Sequence, residues 1–249
     1  MTQILLCGSE GKMGRAVKAA AQDGDVCIAA CIDPFLKGKE SENCYSSFSQ
    51  IDKGYDCIID FSHPSLTDDL LSYAKRTKTP AVICTTGLSE EQIAEIHKTS
   101  KEVAVFFSAN MSLGVNLLLE LCKKAAQILG DGFDIEIIEK HHNQKVDAPS
   151  GTALMLANGI NEACSEKYNY VYDRQSVRKK REKTEIGIHA VRGGNIVGEH
   201  EVIFAGHDEC ISLKHAAASK EVFAVGAINA ARFLDGKSAG LYQMSDMIK

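Results

Sequence analysis

The chain has 249 residues, 45% of them hydrophobic and 24% charged, with a net charge of -5. This is enough chain for one large globular domain or two modest ones, with the ordinary composition of a soluble protein. The acidic balance excludes bulk electrostatic attraction to nucleic acid. Nine cysteines, an odd number without a C-x-x-C pair, argue against a disulfide framework. Cys7, Cys27, Cys31, Cys57 and Cys84 lie in apolar runs and read as buried thiols of a reducing cytoplasm. No basic leader precedes the first apolar run, and no run approaches membrane-spanning length, so the expectation is a cytoplasmic protein with no membrane partner.

Ile4 to Cys7 is a short apolar strand ending at Gly8, and a helical pattern follows from Lys12 to about Gln22. Strands are expected over Val26–Ile32, Asp56–Phe61, Ala81–Cys84 and Val103–Phe107, with helices over Ser65–Arg76 and Glu90–Thr99. Each strand is apolar on both faces and followed by a helix, which is the pattern of a parallel sheet covered on both sides. After Leu113 the pattern changes. A long helix runs to about Leu129, then a strand over 133–141, a polar loop, and a helix from Thr152 to Ala163. The segment 173–183 carries Arg174, Arg178, Lys179, Lys180, Arg181 and Lys183 without interleaved aromatics, and reads as a solvated loop. Glu185–Val191, Ile196–Phe204 and Cys210–His215 follow as strands of an antiparallel or mixed sheet, and a helix over Lys220–Leu234 closes the pattern. The fold class expected is α/β: a doubly wound parallel sheet plus an α+β domain with an open mixed sheet. Such an open sheet needs covering, and self-association is one way to cover it.

Gly8, Gly11 and Gly14 form a G-x-x-G-x-x-G turn between the first strand and first helix. Glycines there let the backbone turn tightly and approach a pyrophosphate at the helix N-terminus. Asp33 closes the second strand, where an acid would hydrogen-bond an adenosine ribose. Pro34 follows it and brings no guanidinium; Lys12, Lys37 and Lys39 are the cations within reach. A carboxylate repels a 2′-phosphate, so NADH is favoured over NADPH. Cys84-Thr85-Thr86-Gly87 and Ser108-Ala109-Asn110-Met111 leave the fourth and fifth strands, at the sheet end where ligands lie in open α/β folds.

The most informative stretch is 139–153. It places His141, His142 and Lys145 on a loop that ends in Pro149-Ser150-Gly151-Thr152, the start of a helix. The helix start offers bare amides and a positive dipole end to a small anion, with proton donors beside it. A metal would need a third ligand at suitable spacing, and only Asp147 is near, so no metal is expected. Adjacent residues at a strand end point to opposite sides, so one histidine at most faces inward.

The string Glu139-x-His141-His142-x-x-Lys145-x-Asp147-Ala148-Pro149-Ser150-Gly151-Thr152-Ala153 resembles the signature of the 4-hydroxy-tetrahydrodipicolinate reductase (dihydrodipicolinate reductase) family. The Gly8–Gly14 loop, Asp60-Phe61-Ser62, Thr85-Thr86-Gly87, Asn110-x-Ser112, Arg192-x-Gly194 with Gly198-Glu199-His200, and Gly240-Leu241-Tyr242 resemble the same family in the same order. The resemblance implies a Rossmann-like domain over 1–112, completed by 222–249, and a substrate-binding and oligomerisation domain over 113–221. It implies NADH- or NADPH-dependent reduction of a small cyclic dicarboxylate in the diaminopimelate route to lysine, by a homotetramer. Carried over by motif, Gly8, Ser9, Glu10, Gly11, Lys12, Met13, Asp33, Cys84, Thr85, Thr86, Ser108, Ala109, Asn110 and Met111 contact the dinucleotide. His141 is the catalytic acid and Lys145 a proton donor, with His142, Ser150, Gly151 and Thr152 at the substrate. The chain departs from the family pattern at Pro34, where Arg is frequent, at Cys84, where Gly is usual, and at Lys220, where Arg is frequent. Another nicotinamide-dependent amino-acid dehydrogenase, or a dinucleotide sensor without turnover, would share the glycine loop but has no need of the His-His-x-x-Lys string.

Overall fold

A computed structural model describes residues 1–22, 24–108 and 110–248. In chain order its elements are β1 (Thr2–Cys7), α1 (Lys12–Ala20), β2 (Val26–Ile32), β3 (Cys44–Tyr45), β4 (Cys57–Asp60), α2 (Thr67–Thr77), β5 (Ala81–Ile83), α3 (Glu90–Thr99) and β6 (Ala104–Phe107). These are followed by α4 (Leu113–Leu129), β7 (Asp134–His141), α5 (Gly151–Ala163), β8 (Asn169–Val171), β9 (Glu185–Arg192), β10 (Gly198–Ala205), β11 (Cys210–Ala217), α6 (Glu221–Leu234), β12 (Gly240–Tyr242) and α7 (Met244–Met247). The chain divides into two compact units, Met1–Leu113 with Lys220–Lys249, and Gly114–Ser219.

The first unit is a parallel sheet in the order β12-β6-β5-β4-β1-β2-β3. The chain winds outward in one direction through β2 and β3 and in the other through β4, β5 and β6, so the switch point lies between β1 and β4. Successive residues of β1 are buried on opposite faces. Ile4 and Leu6 pack with Val17, Ala227 and Ile228 from α1 and α6. Leu5 and Cys7 pack with Leu70, Leu71 and Ile96 from α2 and α3. Burial on both faces is why these strands are continuous apolar runs. The helix starts are set locally: Ser89 and Gln92 form a capping box on α3, and α2 follows a Pro64–Leu66 turn capped by His63.

The second unit is a mixed sheet in the order β11-β10-β7-β9-β8. β7, β8 and β9 are parallel, and β10 runs antiparallel to β7 and β11. One face, with Ile135, Ile137, Ile186, Ile188, Val202 and Phe204, packs on Leu118 and Cys122 of α4 and Leu156 and Ile160 of α5. The opposite face carries Glu136, Ile138, Lys140, His189, Val191 and Ile203. Among the described residues, no helix of this unit packs on it.

The structure adds short elements that have no periodicity to announce them: β3, β8, β12 and α7. Two expectations need correcting. The basic segment is not simply solvated. Arg174 donates to Glu136 Oε1 at 2.7 Å and to Glu185 Oε2 at 2.8 Å, and Arg181 donates to Asp134 Oδ1 at 2.7 Å. Acidic residues at the start of β7 and β9 draw these two guanidiniums onto the sheet; Gly187, in register with Glu136, leaves space for that carboxylate. All nine cysteines are free, but Cys27 is exposed rather than buried, because it lies at the start of β2 where the strand is not yet covered. No helix of the described residues is long and apolar enough to cross a membrane.

Candidate active site

In the first unit, the loop after β1 lies at the switch point of the sheet. Gly8 has φ +76°, and a Cβ there would stand 2.5 Å from the carbonyl oxygen of Phe61. A Cβ on Gly14 would collide with the Gly8 carbonyl, and one on Gly11 would lie 3.3 Å from it. The three glycines therefore fold the loop on itself and open α1 at Gly11, which has no side chain to cap the first amides. Ser9 is fully buried, Glu10 and Lys12 are exposed, and Met13 packs against the core.

Asp33 is not an open acceptor. Its Oδ2 accepts from the Glu10 amide and its Oδ1 from the Phe35 amide, both at 3.0 Å, and the residue is 4% exposed. An acid before the Pro34 turn caps that turn, and the same carboxylate ties down the glycine loop. A guanidinium, absent from the sequence expectation for this corner, is present. Arg15 is exposed and donates to the Glu10 carbonyl at 2.8 Å.

At the other strand ends, Asp60 is fully buried and accepts from the Ser62 amide and hydroxyl and from Thr85 Oγ1 at 2.7 Å. Burial raises its carboxyl above the usual range, against the pull of those hydrogen bonds. Thr85 thus spends its hydroxyl on Asp60, which leaves its backbone for a ligand. Cys84 and Met111 have side chains in the core and likewise offer backbone only. Because the Cys84 side chain turns inward, the departure from glycine does not crowd the strand end; burial also holds its thiol well above the usual value. Thr86 is exposed, and Ser108 and Asn110 are half-buried, with Asn110 accepting from the Ser112 amide. Ala109 lies outside the described residues.

In the second unit, Glu139 and His141 share the helix-facing side of β7, and Arg192 stands in register with His141 on β9. Glu139 is fully buried. Its two oxygens meet His141 Nδ1 at 2.6 Å, Arg192 Nη1 and Nη2 at 2.8 and 2.7 Å, and the Ser150 amide at 3.0 Å. Burial would raise this carboxyl; the hydrogen bonds from Arg192, His141 and Ser150 outweigh it and hold Glu139 below the usual glutamate value. The Ser150 hydroxyl accepts from the Ala153 amide as the N-cap of α5, and lies 2.9 Å from His200 Nε2. His200 packs edge-on to His141 with ring centroids 5.2 Å apart. Burial, then the nearby His141, pulls His200 down to about 4, so it is neutral at pH 7.

The expectation of one inward histidine matches the placement: His141 is buried and His142 half-buried. Lys145 reaches Asp147 Oδ1 at 2.8 Å, which holds Asp147 below its ordinary value. The Ser150 amide donates to Glu139 and its hydroxyl serves the helix cap and His200, because a buried carboxylate claims the nearest donor. Gly151 is exposed, and a Cβ there would meet nothing within 4 Å. Thr152 follows, half-buried in the same first turn. Sequence reasoning gave no role to Glu139, Asp60, Arg192 or His200, although all four lie in motifs quoted for the resemblance. Alternation along β7 places Glu139 beside His141, but nothing in the sequence pairs it with Arg192. Among the described residues there is no cluster of three or more potential metal ligands.

Residues 2–111 match the family profile "Dihydrodipicolinate reductase, N-terminus", and residues 114–248 match "Dihydrodipicolinate reductase, C-terminus". The chain is 50% identical over 250 residues to the 4-hydroxy-tetrahydrodipicolinate reductase of Clostridium novyi, covering 100% of this chain and 99% of that one. It is 48% identical over 250 residues to that of Caldanaerobacter subterraneus subsp. tengcongensis, with the same coverage. The fold is similar to that of a dipicolinate-bound dihydrodipicolinate reductase from Paenisporosarcina sp. TG-14, with a TM-score of 0.80, 23% identity and full coverage of both chains. Glycine loop, buried His–Glu–Arg cluster and full-length relatives agree: this chain belongs to the dihydrodipicolinate reductase family.

Proposed function

We propose that the protein reduces 4-hydroxy-tetrahydrodipicolinate to tetrahydrodipicolinate with NADH or NADPH. What carries this is the assembly, within the single segment 139–152, of a seated imidazole, a lysine and the first turn of a helix. The substrate is a small cyclic dicarboxylate. Its anionic group has room at Gly151, where the start of α5 and the helix dipole favour negative charge, with Thr152 next in the same turn. Lys145, salt-bridged to Asp147, brings an ammonium to the same loop, which His142 flanks. His141 and Lys145 are the proton donors that complete the reduction.

Residues 1–112, with 222–249, hold the dinucleotide. The glycine cradle fits a pyrophosphate, since side chains at Gly8 and Gly14 would fill the space that the loop closes on. When bound, the reduced dinucleotide supplies the hydride. Glu10 to Met13 present backbone, Thr86, Ser108 and Asn110 present polar groups, and Cys84, Thr85 and Met111 present backbone at the strand ends. Asp33 keeps lone pairs for ribose hydroxyls beyond its two amide contacts, which supports use of NADH at least as efficient as that of NADPH. The amides partly offset its charge, and Arg15 and Lys12 attract a 2′-phosphate, so the margin is modest. The face of the second sheet on which no helix of its unit packs, with Ile138, Ile203 and the 44%-exposed Val191, supports self-association as a homotetramer over 113–221.

The test is oxidation of NADH and NADPH by purified protein, with dihydrodipicolinate synthase supplying the substrate. Consumption is expected only when the synthase product is present. Folded protein that consumes neither cofactor refutes the activity. An NADPH preference of tenfold or more in kcat/KM, about 1.4 kcal/mol, refutes the cofactor choice alone.

A further inference from the structure

We propose that Glu139 and Arg192 form a positioning pair that fixes the tautomer and orientation of His141, with Arg192 keeping Glu139 ionised inside the protein. The proposal rests on the assignment of His141 as a proton donor.

The geometry is specific. A buried carboxylate held by a two-pronged guanidinium is ionised and has no hydrogen to give. The 2.6 Å contact to His141 Nδ1 therefore carries the hydrogen on the imidazole side. That fixes Nδ1 as the protonated nitrogen and leaves Nε2 as the atom that exchanges a proton with substrate. Gly198 stands beside Nε2: a Cβ there would lie 3.1 Å from it, closer than packed atoms normally come. The absence of that side chain keeps the working nitrogen uncrowded.

The pair is itself held. Arg192 also donates to the Asp147 carbonyl at 2.6 Å, and the Ser150 amide closes the remaining side of Glu139. The charges facing His141 come from every element around it. Glu139 is on its own strand and Arg192 on β9. Lys145 and Asp147 are on the following loop, paired to each other. His200 on β10 is neutral at pH 7, and behind it His215 on β11 is also held down by burial. With Glu139 and Arg192 cancelling and Lys145 offset by Asp147, the cluster accommodates one added proton on His141 without a second adjacent cation. The logic is that of a carboxylate that orients a catalytic imidazole without taking its proton.

The experiment is a double-mutant cycle with Glu139→Gln and His141→Ala, read as kcat, KM and the pH profile of kcat. Glu139→Gln should lower kcat roughly 10- to 1000-fold with KM nearly unchanged. It should also move the alkaline limb of the profile towards lower pH by about 1 unit or more, because an anion beside a proton donor is lost. On the His141→Ala background the same change should cost less than about threefold, since residues acting as a unit are not additive. A purely structural role would lower both backgrounds equally and leave the profile in place, and that result overturns the proposal. If His141→Ala itself is harmless, the proton-donor assignment fails instead. Wild-type protein gives a readout independent of folding in the variants: ¹⁵N shifts of His141 should show the hydrogen on Nδ1 in the neutral ring, and an Nε2-protonated ring would overturn the pair's role.

Discussion

Acidification should destabilise this protein through His200, starting near the ordinary histidine value. The ring is 4% exposed, and burial followed by the neighbouring His141 lowers its proton affinity from 6.5 to about 4. Above the ordinary histidine value, folded and unfolded chains both carry it neutral, and it contributes no pH dependence. Between 6.5 and about 4 the unfolded chain takes up a proton that the folded chain refuses, so stability falls as pH falls through that window. At 1.36 kcal/mol per tenfold change in proton affinity, the loss approaches about 3 kcal/mol, a large share of the ~5–15 kcal/mol available to a domain. His215, opposite His200 in the β10–β11 register and also lowered by burial, acts in the same direction. The assay is urea unfolding at fixed protein concentration across the window, comparing wild type with His200→Gln. Glu139, held below its usual value, also loses stability on acidification, but it does so in both proteins and cancels in the comparison. The wild type should lose about 3 kcal/mol more than the variant, with m unchanged. Identical pH dependence would refute the claim that a neutral buried ring at this position resists protonation.

The proposed role of Lys145, a proton donor facing an anionic substrate, predicts that Lys145→Ala lowers kcat/KM by roughly 10²–10⁴ or more while NADH affinity is kept, and near-normal turnover would contradict the role. Gly8→Ala forces a side chain into a left-handed backbone and against Phe61, costing about 1–2 kcal/mol for the conformation alone. It should abolish tight dinucleotide binding by titration while the circular dichroism of the folded protein persists, and an unchanged dinucleotide Kd would show that the loop yields. Arg15→Ala should lower kcat/KM for NADPH more than for NADH at fixed low ionic strength; an unchanged ratio would remove Arg15 from cofactor choice.

The parallel sheet was legible because its strands are buried on both faces. Ile4–Cys7 or Ala104–Phe107 can be little else than interior strands when each is followed by an amphipathic helix. β3, β8 and β12 were not legible, because two or three residues carry no period; Cys44–Tyr45 and Gly240–Tyr242 exist as strands only through the sheet edges they join. The same contrast runs through the candidate site. His141, Lys145 and Ser150 are close in sequence, so a local reading brings them together. Arg192 lies 53 residues beyond Glu139, and only strand pairing makes them partners. Arg174 and Arg181 looked like solvated charge for the same reason: the acids that claim them, Asp134, Glu136 and Glu185, are assembled by the β7–β9 register.

Asp33, Asp60 and Glu139 show what a local reading of acids misses. Each stands at or near the C-terminal end of a strand, and each is at most 4% exposed. At that point the ladder stops, and the loop that follows has amides and hydroxyls with no ladder partner. A carboxylate placed there collects them: Glu10 and Phe35 amides on Asp33, Ser62 and Thr85 on Asp60, the Ser150 amide with His141 and Arg192 on Glu139. From sequence alone Asp33 reads as a ligand contact, because ligands bind at the same ends of the same strands, while Asp60 and Glu139 receive no role. In the structure the first task of each is to hold the loop. The two tasks are compatible, since an ionised carboxylate has about four acceptor positions, and the first makes the second effective. A loop fixed by its own acid presents Gly8, Thr85 or His141 in one geometry, and the ordering cost is met on folding rather than on binding. Substitutions at these acids should therefore be judged by what the loop loses as well as by what the ligand loses.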